Sequence, residues 1–155
     1  MGAEELTAGE QITVGVLLTQ VADAQSLAAA CALNKFAVDA VPSPIGAYAV
    51  LRDLVPGRPE ALAKAFSALV QTVPVILITA TSGQMSAQQW EQGELSGKLP
   101  VALVLDGAPH ELEDLLLGSA SVAELDGVVD SAKISKFKAM RMLAASARAY
   151  KAKVK

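Results

Sequence analysis

Aromatic side chains are scarce in this chain: three Phe, two Tyr and one Trp, 4% of 155 residues. Yet 52% of the residues are hydrophobic, so the core must be aliphatic and small-grained, built largely from Ala, Val and Leu. That fraction excludes a disordered chain, and the length suits one domain with a real core. There is a single cysteine, Cys31, which rules out an internal disulfide and any paired zinc-ligand cysteines. Cys31 reads as a small buried helix residue rather than a nucleophile. No apolar run approaches the ~20 residues of a membrane span. The opening residues carry Glu4, Glu5 and Glu10 and lack a basic stretch, so no signal peptide is expected and the expected compartment is the cytoplasm. The G-x-x-x-x-G-K-[ST] and G-x-G-x-x-G phosphate loops are both missing. No cofactor, metal ion or catalytic residue is expected.

Acids are missing from one end. Residues 1–130 hold all sixteen acids and five bases, a net of −11, and residues 131–155 hold eight bases and no acid, +8. This asymmetry hides inside a formal net charge of −3. Two readings of the basic end follow. It packs on the acidic body with a solvated basic face, or it is an arm for an acidic protein, a nucleic acid or a membrane surface. The candidate partner-binding residues are Lys133, Lys136, Lys138, Arg141 and Arg148. Ile134, Phe137, Met140, Leu143, Ala144, Ala147 and Tyr150 supply an apolar side at helical spacing, so a helix from Asp130 or Ser131 to about Tyr150 is predicted.

The remaining chain is organised around Val73 to Thr81. The run from Val75 to Thr79 has no alternation, which suggests a strand buried on both faces, with Val75, Ile76, Leu77 and Ile78 all inside. Pro74 suits its first position. Other predicted strands are 12–18, 36–41 and 101–105. Predicted helices are 24–33 capped by Asp23, 59–71, a short one opened by a Ser86–Gln89 capping box and running through Trp90 and Glu94, and one from Pro109 to Leu117. Residues 45–55 fit strand and helix almost equally. Strands alternating with helices of about ten residues predict an α/β fold: a three-layer sandwich with a mainly parallel central sheet. The alternative arises if 36–41 and 47–53 are both strands. Too few residues then separate them for a parallel crossover, so they form a hairpin and give a ferredoxin-like β-α-β-β-α-β core with a C-terminal extension. The expected organisation is an arm over 1–11, one domain over 12–118, and a connector with the basic helix over 119–155.

The stretch AYAVLRDLVPGRPEALAKAF, then SALVQT, then VPVILITA resembles the middle of a response-regulator receiver domain, best over residues 51–80. VALVLDGAPHELEDLL is similar to that family's last strand and helix. The resemblance implies that Asp53 stands at the phospho-accepting position and Thr79 at the switch hydroxyl. The family's acidic pair after the first strand is replaced by Leu18, Thr19 and Gln20, and its last-strand lysine by Asp106. Phosphoryl transfer needs a cation and a positive side chain, so the resemblance implies a receiver scaffold without the chemistry.

Thr79, Thr81, Ser82, Gly83 and Ser86 form a small hydroxyl-rich loop, which with Asp106 is a candidate ligand loop if it leads into a helix N-terminus. An ordinary capped loop is the favoured reading of it. His110, alone among acids, reads as a solvated helix residue. The expected function is a non-catalytic signalling or scaffold module working through protein contacts or self-association. The alternatives are a small-ligand or phosphate-binding protein using the 79–86 loop, and a nucleic-acid binder using the basic helix.

Overall fold

In the computed structural model, residues 12–70, 73–81 and 84–144 are described. They form one seven-stranded sheet in the order β6-β5-β4-β1-β3-β2-β7, in which every pair is antiparallel. The strands are β1 (Val14–Leu18), β2 (Val38–Val41), β3 (Tyr48–Leu51), β4 (Val75–Thr81), β5 (Gln84–Glu91), β6 (Glu94–Leu99) and β7 (Val129–Asp130). The helices are α1 (Ala24–Leu33), α2 (Arg58–Leu69), α3 (Val101–Asp106), α4 (His110–Leu117) and α5, whose described residues are 136–144.

The expected mainly parallel sheet is therefore wrong, and the protein is α+β. The reason lies between β2 and β3. Residues 42–47 are too few to carry a parallel crossover, and β2 and β3 instead pair as a hairpin with Val41 opposite Tyr48. The first six elements consequently run β-α-β-β-α-β, with β1 between β3 and β4. Gly46 makes the turn possible. Its φ is +118°, and a Cβ there would run into the Thr19 carbonyl. The Thr19 hydroxyl, 6% exposed, donates to the Ala47 carbonyl at 2.7 Å and accepts from the Val21 amide at 3.2 Å, so the end of β1 is pinned to the hairpin.

The alternation of a pleated strand separates two cores. Leu17 lies opposite Leu77 and Ala49, and all three face α1 and α2, where Leu27, Cys31, Leu62 and Phe66 are buried. Val16 lies opposite Ile78 and Val50 on the other face, which Leu112, Leu115 and Leu116 of α4 cover. Both faces of β4 are thus occupied, which explains its unbroken apolar run. Val75, Leu77 and Ile78 are buried, and Ile76 is half-buried. The middle position in the sheet belongs to β1 rather than β4.

Two further expectations fail. The short helix through Trp90 is β5, and Gly97 lies in β6. Gln92 and Gly93 both have positive φ, +53° and +83°, which is the two-residue turn that matches strand twist in a tight hairpin. Ala87 and Trp90 are the buried positions of β5. Trp90 packs in the α1/α2 core, its indole N–H donating to Gln88 at 3.2 Å. Conversely, the strand expected over 101–105 is α3. A short apolar run fits either element, and here only its inner side meets the sheet, leaving Leu103 71% exposed.

The chain after α4 returns to the sheet. The short β7 pairs with β2, setting Asp130 opposite Asp39. A 3-10 turn follows over Ser131–Lys133, capped by the Asp130 carboxylate, which accepts from the Ala132 amide at 2.9 Å. Ser135 then caps α5, its hydroxyl accepting from Lys138 N–H at 3.1 Å. The expected start of this helix at Asp130 or Ser131 moves to residue 136.

Candidate functional site

The receiver-like pair is not brought together. Asp53 follows β3 in the loop to α2. Its carboxylate accepts from the Val55 amide at 3.1 Å and meets Arg58 Nε at 3.3 Å. Arg58 in turn donates to the Lys35 carbonyl at 3.1 Å and lies over the Phe36 ring at 4.2 Å. Asp53 therefore shapes the entry to α2. Thr79 is inside β4, opposite Gly15 of β1 and Ser86 of β5. All of β1 stands between it and β3. Space over Gly15 is filled by apolar side chains: a Cβ there would meet Leu54 at 3.2 Å and Pro59 at 3.8 Å.

The hydroxyl-rich stretch is a β-hairpin, not the approach to a helix, so the amides and dipole of a helix N-terminus are absent from it. The Thr79 and Ser86 hydroxyls bond each other at 3.0 Å, and the Thr81 hydroxyl donates to the Gln84 carbonyl at 3.3 Å. Ser82 and Gly83 lie outside the described residues. Beside the hairpin is an open cleft of about 620 Å³ lined by Thr13, Val14, Thr81, Gln84, Met85 and Leu117 among others. Thr79, Ser86 and Asp106 do not line it; Asp106 is exposed at the end of α3.

The basic residues do assemble into a surface. Ile134 and Leu143 pack against the α1/α2 core, and Ala139 is fully buried. These positions fix the inner side of α5. The outer side carries Lys136, Phe137, Lys138, Met140 and Arg141, all exposed, with Phe137 at 69% and Met140 at 55%. Arg141 lies over the Phe137 ring at 5.3 Å. Lys133 is exposed just before the helix. Arg148, Ala147 and Tyr150 lie outside the described residues. The expected single apolar stripe is thus split: Ile134 and Leu143 face in, and Phe137 and Met140 face out.

No family model matches the chain, and neither a curated protein nor a solved structure matches it. Nothing in these comparisons indicates a receiver domain, so function rests on the chain's own geometry.

Two features at the β7 edge of the sheet escaped the sequence reading. The Arg52 guanidinium donates to both carboxylate oxygens of Asp39 and meets Asp130 at 3.0 Å. Its hydrogen bonds to Asp39, then the charges of Asp39 and Asp130, hold the guanidinium above its ordinary range despite some desolvation. Three strands, β2, β3 and β7, meet at this clamp. The second feature is Ser131, 2% exposed, whose side-chain hydroxyl joins the segment before α5 to the start of β2, donating to the Phe36 carbonyl and accepting from the Val38 amide. A serine amid SAKIS gives no sequence signal of this. An aspartate within a four-residue apolar strand, with an arginine just beyond the paired strand, was a readable hint of the clamp.

Two buried titratable groups lie elsewhere. Burial pushes the Cys31 thiol up to about 12. Burial, then the nearby Glu111 charge, pushes the Tyr48 phenol upward too. The Tyr48 hydroxyl is buried without a hydrogen-bond partner among the described residues. Among the described residues no group of His, Cys, Asp and Glu is arranged to hold a metal ion. Also among them, no helix is long and apolar enough to cross a membrane.

Proposed function

We propose that this protein is a non-catalytic interaction module that binds another protein surface through the outer side of α5. The observation that carries the reading is the exposed pair Phe137 and Met140 set among Lys136, Lys138 and Arg141, on a helix whose inner side is already used. Exposed large apolar residues are ordinary when single. A phenylalanine and a methionine one turn apart, ringed by cations, have the composition of a contact surface: an aromatic anchor, an adaptable thioether and a charged rim. The cations would meet an acidic partner and speed its encounter. A photo-crosslinking amino acid at position 137 tests this in cells. A discrete protein adduct, missing when the same group replaces exposed Leu95, is the expected result. Adducts only with lipid or nucleic acid, or none above the Leu95 control, would overturn the reading.

A second reading has one observation in its favour, the open cleft beside Thr81 and Gln84. Its mixed hydroxyl, amide and aliphatic lining suits a small uncharged amphiphile. A thermal-shift screen of such compounds checks it, since a ligand that binds the folded state raises the midpoint by mass action.

A further inference from the structure

The charge asymmetry of the sequence reappears as two opposed surfaces. α5 packs on the core beneath α1 and α2, on one face of the sheet. α4 covers the other face. The outer side of α4 is the mirror of α5 in character. Leu112, Leu115 and Leu116 are buried, while His110, Glu113, Asp114 and Leu117 share the opposite side at helical spacing and are exposed. Leu117 is 60% exposed beside the two carboxylates. One surface therefore offers Phe137 and Met140 among cations, and the other offers Leu117 among anions.

We propose that the partner of α5 is a second copy of this chain, bound through the outer side of its α4. This rests on the reading that α5 is a protein-binding surface, and it names the occupant. The charge signs are complementary at Lys136, Lys138 and Arg141 against Glu113 and Asp114. Each surface has an exposed large apolar group at its centre to be desolvated on contact. The described part of α5 cannot satisfy its own molecule's α4, because the sheet lies between them. The contact is between unlike patches on opposite sides, so it is head-to-tail. It does not close at a dimer but adds further copies in an open series. Both patches are small and charged, so the association is weak and salt-dependent.

Sedimentation of the full chain over a concentration series, with charge-swapped variants, provides the test. At about 50 mM salt the average mass should rise with concentration above the monomer's 16.0 kDa and continue past twice that value. At about 500 mM salt, where screening acts over only a few ångströms, association should weaken at least tenfold. Glu113→Lys with Asp114→Lys should give a monomer, as should Lys136→Glu with Lys138→Glu and Arg141→Glu. Mixing the two variants should restore association, because each then presents charges opposite to the other's. All the substituted side chains are exposed, and a melting curve of each variant checks that it folds. A wild-type chain that stays monomeric at low salt overturns the proposal. So does association that survives both swaps, or a mixture that stays monomeric. If the chain is monomeric but position 137 crosslinks to a different protein, the self-association fails and the interaction-module reading stands. Retention on anionic vesicles or nucleic acid, lost with the α5 swap, would overturn both.

Discussion

Ser131 and Phe36 are 95 positions apart in the chain and are joined by a hydrogen bond of 2.9 Å from the serine hydroxyl to the phenylalanine carbonyl. The same hydroxyl accepts from the Val38 amide at 2.9 Å. One buried oxygen thus completes the backbone bonding of β2 where it enters the sheet. Ser131→Ala leaves a buried carbonyl and a buried amide unpaired. The expected cost is about 1–3 kcal/mol. Ser131→Thr, which keeps the hydroxyl, should recover part of it. Urea unfolding of the three proteins measures both effects, and equal stabilities would show that the bridge contributes nothing.

Arg52 gives a related expectation. Asp39 and Asp130 face each other across β2 and β7, and Arg52 is the cation between them. Its side chain is 45% exposed, so solvent screens the clamp. Arg52→Ala should cost only about 1 kcal/mol, and Asp130→Asn should offset part of that loss by removing one of two opposed charges. A double-mutant cycle measures the coupling, and purely additive effects would contradict the clamp.

How much of this was legible in the sequence differs by element. The helix over Arg58–Leu69 was readable from Leu62 and Phe66 at helical spacing, and α1 from its Asp23 cap. Asp23 does accept from the Ser26 amide, at 2.7 Å. The direction of the sheet was not readable from periodicity, because an unbroken apolar run such as Val75–Ile78 arises whenever both faces are covered. It says nothing about whether neighbours are parallel. The deciding signal was the short spacing between Val41 and Tyr48, which was visible but outweighed by the receiver resemblance. The Gln92-Gly93 turn was hidden because neither neighbouring strand is strongly hydrophobic: only Ala87 and Trp90 of β5 are buried. At the candidate site, the basic residues of α5 were readable from composition. The split of its apolar residues into an inner and an outer side was not, since that depends on which residues meet the core under α1 and α2.

Gly46 tests the hairpin that sets the topology. Its φ of +118° and the Thr19 carbonyl beside it leave no room for a methyl group. Gly46→Ala should destabilise by more than about 1 kcal/mol. Gly97, over which a Cβ would meet nothing and whose φ is ordinary, is the control: Gly97→Ala should change stability little. Equal effects in thermal unfolding would contradict the observed turn.

Cys31 supplies the pH dependence. Its thiol is 1% exposed, and its folded pKa is raised to about 12 from an ordinary value of 9.0. The neutral thiol is the form the fold favours. Its contribution is complete below pH 9 and is lost progressively as pH rises toward 12, because the unfolded chain ionises first. The raised Tyr48 phenol acts in the same direction, so the thiol's share is isolated by comparison with Cys31→Ala. Wild type should lose stability faster than this variant above pH 9. In the folded protein the thiol should resist a disulfide reagent at neutral pH and react after unfolding. Rapid modification of the native protein would contradict the burial.

The most direct test of the account is the difference in melting temperature between Ala139→Asp and Phe137→Asp. Both place a carboxylate on α5, two positions apart, and they differ in which side of the helix receives it. Ala139 is fully buried and Phe137 is 69% exposed. A charge forced into the α5 contact should cost at least about 3 kcal/mol, a drop of at least about 6 °C for a chain of this size. Phe137→Asp should move the melting temperature by no more than about 2 °C, since surface changes are usually worth less than about 0.5 kcal/mol. That outcome places the inner side of α5 on the body and leaves Phe137 free for a partner. A large drop for Phe137→Asp with little change for Ala139→Asp would contradict it, and with it the surface on which the proposed function depends.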